Sequence, residues 1–461
     1  MRRSADLPPL HGYPTVDELH AMLKELRESH PQLVKVQRIG TSRLGEPLVL
    51  YTLTATPAHE PGQAAPRAGH QGLLVGGVHP NEPIGSWTIV QLFRDLAADE
   101  SLRERLDTDW HAIPCADPDG MRLNEGWFRE PGNPELYYRN FYRPAGAEQV
   151  EWTFPFSYKR AYFDAMMPET QALQRAIDLT RPDFYVPLHN AESGGAYYYL
   201  SEPVPELYEL LATLPEHLGI PLHLGEPEAA HFKVLAPAVF EMGTLEQVYD
   251  WMESLGLDPA PPGSAGQAST SYASKYGTLS MIAELPIWKH DDADDTTSTD
   301  ANYAEVLRHA GQEMVATGEL LEGLLHEAEA HLSLDTPFRR AANSFIPGIV
   351  RAGHSQLGRA EQPENQRLAT VAELSGPMGA VWMFRLRFGG SLLRALTAET
   401  DSGLATAQTR RLAERLEEQW SRWLREKLAE EDQASEIPVR DVVGLQYGAV
   451  LGLAAHVRRT Q

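Results

Sequence analysis

The sequence holds a single cysteine, Cys115, among 461 residues, so an intrachain disulfide is excluded. Positive charge is scarce: 40 Lys and Arg stand against 64 Asp and Glu, a formal net charge of −24. That field repels polyanions, and no dense Lys/Arg run offers a local exception, which argues against nucleic acid as a partner. Long apolar runs are missing too. The opening MRRSADLPPLHGYP has no apolar stretch of signal-peptide length. The most apolar stretch, Val442 to Val457, is shorter than a bilayer span and contains Gln446 and His456, so a buried helix is expected there. No membrane partner is expected, and the expected location is the cytoplasm. G-x-S-x-G, P-loop and G-x-G-x-x-G patterns are absent as well.

What is present suits a folded chain of two or three units, with 42% hydrophobic and 23% charged residues. Thr15–Arg27 reads as an amphipathic helix with a capping box, Thr15 to Glu18. Strand-like runs follow at 33–39 and 47–53, then a loop rich in Pro, Ala and Gly over Pro57–Gln71. Leu73–Val78 is a short apolar strand candidate that ends at His79. Ser86–Leu96 has helical spacing. Trp110–Cys115 is a second strand candidate and ends at Asp117-Pro118-Asp119-Gly120. Thr170–Leu179 is helical, Asp183–Leu188 is a strand ending at His189, and Leu279–Leu285 is an apolar strand carrying one acid, Glu284. Alternating helices and buried strands predict an α/β domain with a mixed or mainly parallel sheet. Ligands in such sheets sit past the carboxyl ends of strands, where His79, Asp117 and His189 fall. Beyond residue 300 the pattern is helical: Tyr303–Leu332, a loop around Ser333–Asn365, then mostly helix, clearest over Ser402–Asp432. His290–Ala301 reads as an acidic surface loop.

Three groups carry potential chemistry. His79-Pro80-Asn81-Glu82 sets an imidazole and a carboxylate at i and i+3 of a tight turn, where they can converge on one ion. HxxE alone is also a common polar turn. His189 follows a buried strand in the same way. Glu284 sits inside an apolar strand, and a buried carboxylate needs an ion pair or a catalytic task.

GGVHPNEPIG, DPDG, YYRNF, MPETQAL, LHNAESGG and MIAELP occur in the order seen in zinc metallocarboxypeptidases, and the start from Tyr13 through HPQLVKVQRIGTSRLGEPL is similar as well. The resemblance covers about residues 10–320. It implies a carboxypeptidase-like mixed sheet flanked by helices, with Zn2+ as cofactor. It implies His79, Glu82 and His189 as zinc ligands, and Glu284 as the general base that activates the attacking water. It further implies an arginine at the developing oxyanion, Arg129 with Arg122 as its rival, and a grip on the substrate's terminal carboxylate by Arg139 beside Asn140. The family's mobile tyrosine would fall near 260–266, where none exists; Tyr272 is the nearest. Two departures stand out. Tyr138 replaces the first Asn of Asn-Arg-Asn-Phe, which removes a donor for the terminal carboxylate. Asp117 replaces the Asn of NPDG. The segment matching the side-chain selectivity region, 264–271, is small and polar.

The expected organisation is a catalytic domain over 1–325 and an all-α extension over 326–461. The expected reaction is zinc-dependent hydrolysis of an amide bond, releasing a C-terminal residue from a peptide. An amidase or deacylase acting on an amino-acid conjugate or cell-wall peptide is one alternative, and a non-catalytic peptide-binding protein is another. His326 and His331 are five residues apart, which puts them on different faces of a helix and reads as solvated surface. Cys115 reads as a buried inert thiol, and His111, His231 and His290 as ordinary residues. Tyr197–Tyr199 reads as an aromatic strand.

Overall fold

The computed structural model describes residues 6–58, 68–226, 232–254, 256, 258–260, 265–430 and 434–460. Most of the loop expected over Pro57–Gln71, His231, and a portion of the region expected to set selectivity lie outside these residues.

The strands in chain order are β1 (Val34–Thr41), β2 (Pro47–Leu53), β3 (His70–Val75), β4 (Thr108–Ile113), β5 (Phe156–Tyr158), β6 (Ala161–Phe163), β7 (Phe184–Pro187) and β8 (Ser193–Gly194). They continue as β9 (Tyr197–Leu200), β10 (Val234–Ala236), β11 (Val239–Glu241), β12 (Leu279–Glu284), β13 (Trp288–His290), β14 (Ser298–Asn302), β15 (Leu368–Thr370) and β16 (Ala434–Glu436). Nine of them form one mixed sheet in the order β1-β2-β4-β3-β7-β12-β9-β11-β10. At its centre β4, β3, β7 and β12 run parallel. Every residue of β3 and β7 is buried. Burial on both faces is why these strands read as unbroken apolar runs.

The period of two sorts their side chains into two cores. Leu74 and Val186 join the larger core with Phe93, Leu453 and Val450. Leu73, Val75 and Tyr185 join the second core with Leu173 and Ile177 of the Pro168–Thr180 helix. The Val16–Ser29 helix begins with the expected capping box between Thr15 and Glu18 and also packs into the larger core.

The helical tail divides. Tyr303–Glu329, Pro337–Ala360, Val371–Met383, Gly389–Asp401 and Ala407–Glu430 form a bundle, in which a π-turn (Phe384–Phe388) joins the third and fourth helices. The chain then returns to the sheet region. β16 pairs antiparallel with β13, Trp288 opposite Glu436 and His290 opposite Ala434. The last helix, Val439–Thr460, packs against Ile84–Ala98 and Pro205–His217 and buries Val443, Leu445 and Val450. Its apolar stretch is buried as expected. The boundary expected between residues 325 and 326 falls inside the Tyr303–Glu329 helix.

Helix occupies much of the loop expected at 333–365. Thr336 caps Pro337–Ala360, and Pro347 together with several glycines obscures its period. Those small residues serve close packing: a Cβ on Gly353 would come within 2.8 Å of the Gly311 carbonyl oxygen. The acidic segment after His290 ends in β14, which pairs with β15. No described helix is long and apolar enough to cross a membrane.

Candidate metal centre

β3, β7 and β12 are neighbours and parallel, so their carboxyl ends reach the same edge of the sheet. The chain leaves β3 through Gly76-Gly77-Val78 and presents His79. A turn closed by the Glu82 N–H on the His79 carbonyl, 3.0 Å, then sets Glu82 beside it. β7 runs on to His189, which makes an isolated parallel bridge with Glu284 at the end of β12. Asn190 ties these ends together. Its Oδ1 accepts from the Ile84 N–H at 3.0 Å, at the start of the Ile84–Ala98 helix, and its Nδ2 donates to the Leu285 carbonyl at 3.1 Å. From the last helix, Gln446 donates to the His189 carbonyl at 3.2 Å and accepts from Thr88 at 2.7 Å.

Around His189 stands a buried cluster. Its Nδ1 lies 2.9 Å from Glu82 Oε2 and 3.6 Å from Glu284 Oε1. Its Nε2 lies 3.2 Å from Glu151 Oε2, and the same oxygen is 3.0 Å from His79 Nε2. The two imidazole rings sit edge to face with centroids 4.9 Å apart. Arg143 donates to Glu82 Oε1 at 2.6 Å and to Gln149 at 2.7 Å, and its guanidinium lies over Trp152. Trp152 in turn meets the His79 ring.

Burial and neighbours set the charge states. Burial, with Arg143 nearby, pushes His79 down to about 4, so its imidazole is neutral at pH 7. Burial alone would raise Glu82, but His79, Arg143 and His189 hold it down at about 2. Glu151 is likewise held below the usual carboxylate range, because the two imidazoles outweigh its burial. Burial alone would lower His189, yet Glu151, Glu284 and Glu82 raise it well above its ordinary value.

The donor set fits a dication. Once a metal takes the place of the His189 proton, both imidazoles are neutral, the carboxylates of Glu82, Glu151 and Glu284 exceed the one guanidinium by two charges, and a divalent ion balances them. His79 Nδ1 is buried with no hydrogen-bond partner, which suits a lone pair reserved for a metal. Two donor sets are close enough for one ion, His79–Glu151–His189 and Glu82–His189–Glu284, with His189 in both. The expected ligands His79 and Glu82 therefore stand on either side of His189, and Glu151 joins them.

The zinc carboxypeptidase family profile matches residues 19–224. Over residues 19–224 the chain is therefore similar to the zinc carboxypeptidase family. Carboxypeptidase E of Caenorhabditis elegans is 31% identical over 116 residues, covering 24% of this chain and 23% of that protein. Zinc carboxypeptidase A 1 of Anopheles gambiae is 30% identical over 124 residues, covering 25% of this chain and 26% of that protein. The matched stretches thus span about a quarter of either relative. Among solved structures, carboxypeptidase A of Helicoverpa armigera has 14% identity and a TM-score of 0.38, covering 78% of this chain and 77% of that one. A metallo-carboxypeptidase of Burkholderia cenocepacia has 20% identity and a TM-score of 0.36, covering 59% of this chain and 60% of that one. Zinc is the cation of the zinc carboxypeptidase family, and imidazoles with carboxylates suit it.

The other expected site residues have partners outside the cluster. Arg129 pairs with Glu18. Arg122 pairs with Asp17 at 2.7 Å and Glu46 at 2.9 Å. Arg139 pairs with Glu135 at 3.0 Å and with Glu417 of the bundle at 3.2 Å, and lies over Trp420. Asn140 donates to the Leu136 carbonyl. Tyr272 bonds to Asp178. Asp117 caps a short helical turn by accepting from the Gly120 N–H. Cys115 is buried, with its thiol pushed up by burial and Asp117.

Sequence reasoning missed Glu151 and Arg143. Glu151 offered the same signal as Glu284, an acid among apolar neighbours in VEWTF. Arg143 lies four residues beyond Arg139 and carried no motif of its own. A third omission lies beside the cluster. Glu192, three residues after His189, accepts from Tyr138 at 2.6 Å, from Tyr137 at 3.1 Å and from Arg387 of the bundle's π-turn. Tyr137 feels both Glu192 and Glu82, so this network borders the metal donors.

Proposed function

We propose that the protein hydrolyses an amide bond with zinc, releasing the C-terminal residue of a short peptide. The observation that carries this reading is the meeting of Glu82, His189 and Glu284, with His79 on the other side of His189, at the ends of three adjacent parallel strands. Zinc, when bound, supplies electrophilic polarisation and makes water more acidic. The remaining work falls to the chain. Glu284 is the least buried carboxylate of the cluster, with 13% of its side chain exposed. It takes the proton of the attacking water and passes it to the leaving amine. Arg143, already beside Glu82, places a positive charge where the carbonyl oxygen gains negative charge. The exposed face of Trp152 stands at the same place for the substrate's apolar portion.

A second reading keeps the chemistry and changes the substrate to an amino-acid conjugate. It is favoured by Arg139, whose guanidinium pairs with Glu135 and Glu417. Matched free-acid and C-terminally amidated peptides separate the two readings. A strong preference for the free acid supports the first, and equal turnover supports the second. Glu284→Gln tests both: turnover should fall by about a hundredfold or more while bound zinc stays at the wild-type level. Unchanged turnover removes Glu284 as the base.

A further inference from the structure

We infer that Glu151 is the positioning residue of the metal centre, one carboxylate that fixes the orientation of both imidazole ligands. The inference rests on the reading that His79 and His189 hold zinc. An imidazole that binds a metal through one nitrogen presents the other as an N–H donor, and the partner of that N–H fixes tautomer and ring angle. Glu151 Oε2 lies 3.0 Å from Nε2 of His79 and 3.2 Å from Nε2 of His189. One oxygen thus faces the same atom of both rings. Glu151 is only 2% exposed, so water does not compete for those bonds.

The carboxylate is itself held. It sits in the short turn Val150–Trp152, 3.5 Å from the Ser269 hydroxyl, which is 3.0 Å from the Tyr185 hydroxyl on β7. With both Nε2 atoms donating to Glu151, both Nδ1 lone pairs serve the cation. That assignment accounts for two further observations. His79 Nδ1 is buried without a partner, and Nδ1 of His189 is the nitrogen that faces Glu82 and Glu284. The opposite arrangement, with Glu151 as a ligand beside the two Nε2 atoms, strands His79 Nδ1 in the interior.

The test uses the whole zinc-loaded protein with 15N-labelled histidine. Both rings should be protonated at Nε2 and metal-bound at Nδ1, with resonances assigned from His79 and His189 variants. Metal at Nε2 of either ring overturns the inference. Glu151→Gln should weaken zinc binding by about ten- to hundredfold, while X-ray absorption shows the wild-type number of nitrogen and oxygen ligands. Unchanged affinity overturns the inference, as does loss of one oxygen ligand. If Glu151→Gln does not fold, the wild-type tautomers decide alone. Neither readout depends on hydrolysis, so a failed activity assay leaves this result standing, and the reverse holds too.

Discussion

Burial decides the charge of single residues here, and Asp117 is the plainest case. Its carboxyl is pushed up to about 7, chiefly by burial, with the Gly120 N–H and Arg43 pulling the other way. Its Oδ2 is buried without a partner. The unfolded chain loses this proton near pH 4, whereas the folded chain keeps it to about 7. Between those values the folded state binds more protons, so stability falls as pH rises and then levels off. Asn at this position keeps the cap through its Oδ1 and has no proton to lose. Asp117→Asn should therefore stabilise the protein at pH 8 by on the order of a few kcal/mol and leave it nearly unchanged at pH 3.5. Denaturant titrations at the two pH values measure this, and an equal effect at both would refute it. The zinc cluster shows the reverse device. His79 is kept neutral at pH 7 by the same desolvation, the state in which an imidazole can accept a metal without first losing a proton.

At the scale of elements, the centre depends on how strand ends meet a helix start. Gly76 and Gly85 make this contact possible: a Cβ on Gly85 would lie 2.7 Å from Gly76 Cα. Asn190 closes it with bonds to Ile84 and Leu285. Asn190→Ala strands one buried N–H and one buried carbonyl. The expected loss is about 1–3 kcal/mol for each group, read by chemical denaturation, together with weaker zinc binding. A variant as stable as wild type would show that the junction holds without it. These elements are also what the sequence shows most clearly. β3, β7 and β12 are apolar because both faces are covered, and each run stops where the sheet ends, at His79, His189 and Glu284. Glu151 is less visible because a single 3-10 turn has no period, and its histidine partners lie 72 and 38 residues away. The surroundings of Arg139 are hidden for a similar reason. Glu417, which holds it, comes from a helix 278 residues further on.

The whole molecule is a sheet domain carrying a helical bundle on the loops beside the metal centre. Arg340 pairs with Glu148, Phe338 packs edge-on against Tyr142, and Arg387 pairs with Glu192 over the ring of Phe141. The Arg387 pair is largely buried, with side-chain exposures of 13% and 14%. Arg387→Met leaves Glu192 charged and short of its main partner, which should lower stability by about 3–5 kcal/mol. Adding Glu192→Gln should restore some of that loss in a double-mutant cycle, and additive losses would show that the two side chains act independently. Composition and spacing revealed that this region is helical. They did not reveal that the chain comes back, because a returning strand of three residues carries almost no pattern.

That return has a further consequence. His290 and Ala434 face each other as neighbours in a strand pair, so the chain departs for the bundle and comes home at adjoining points. Whatever is strung between them, whether a tight hairpin or more than a hundred residues, presents the same two ends to the small sheet of β16, β13 and β8. The pairing of β13 with β16 therefore does not depend on the length of that excursion. A lineage could enlarge, trim or exchange it while this strand pair kept its register.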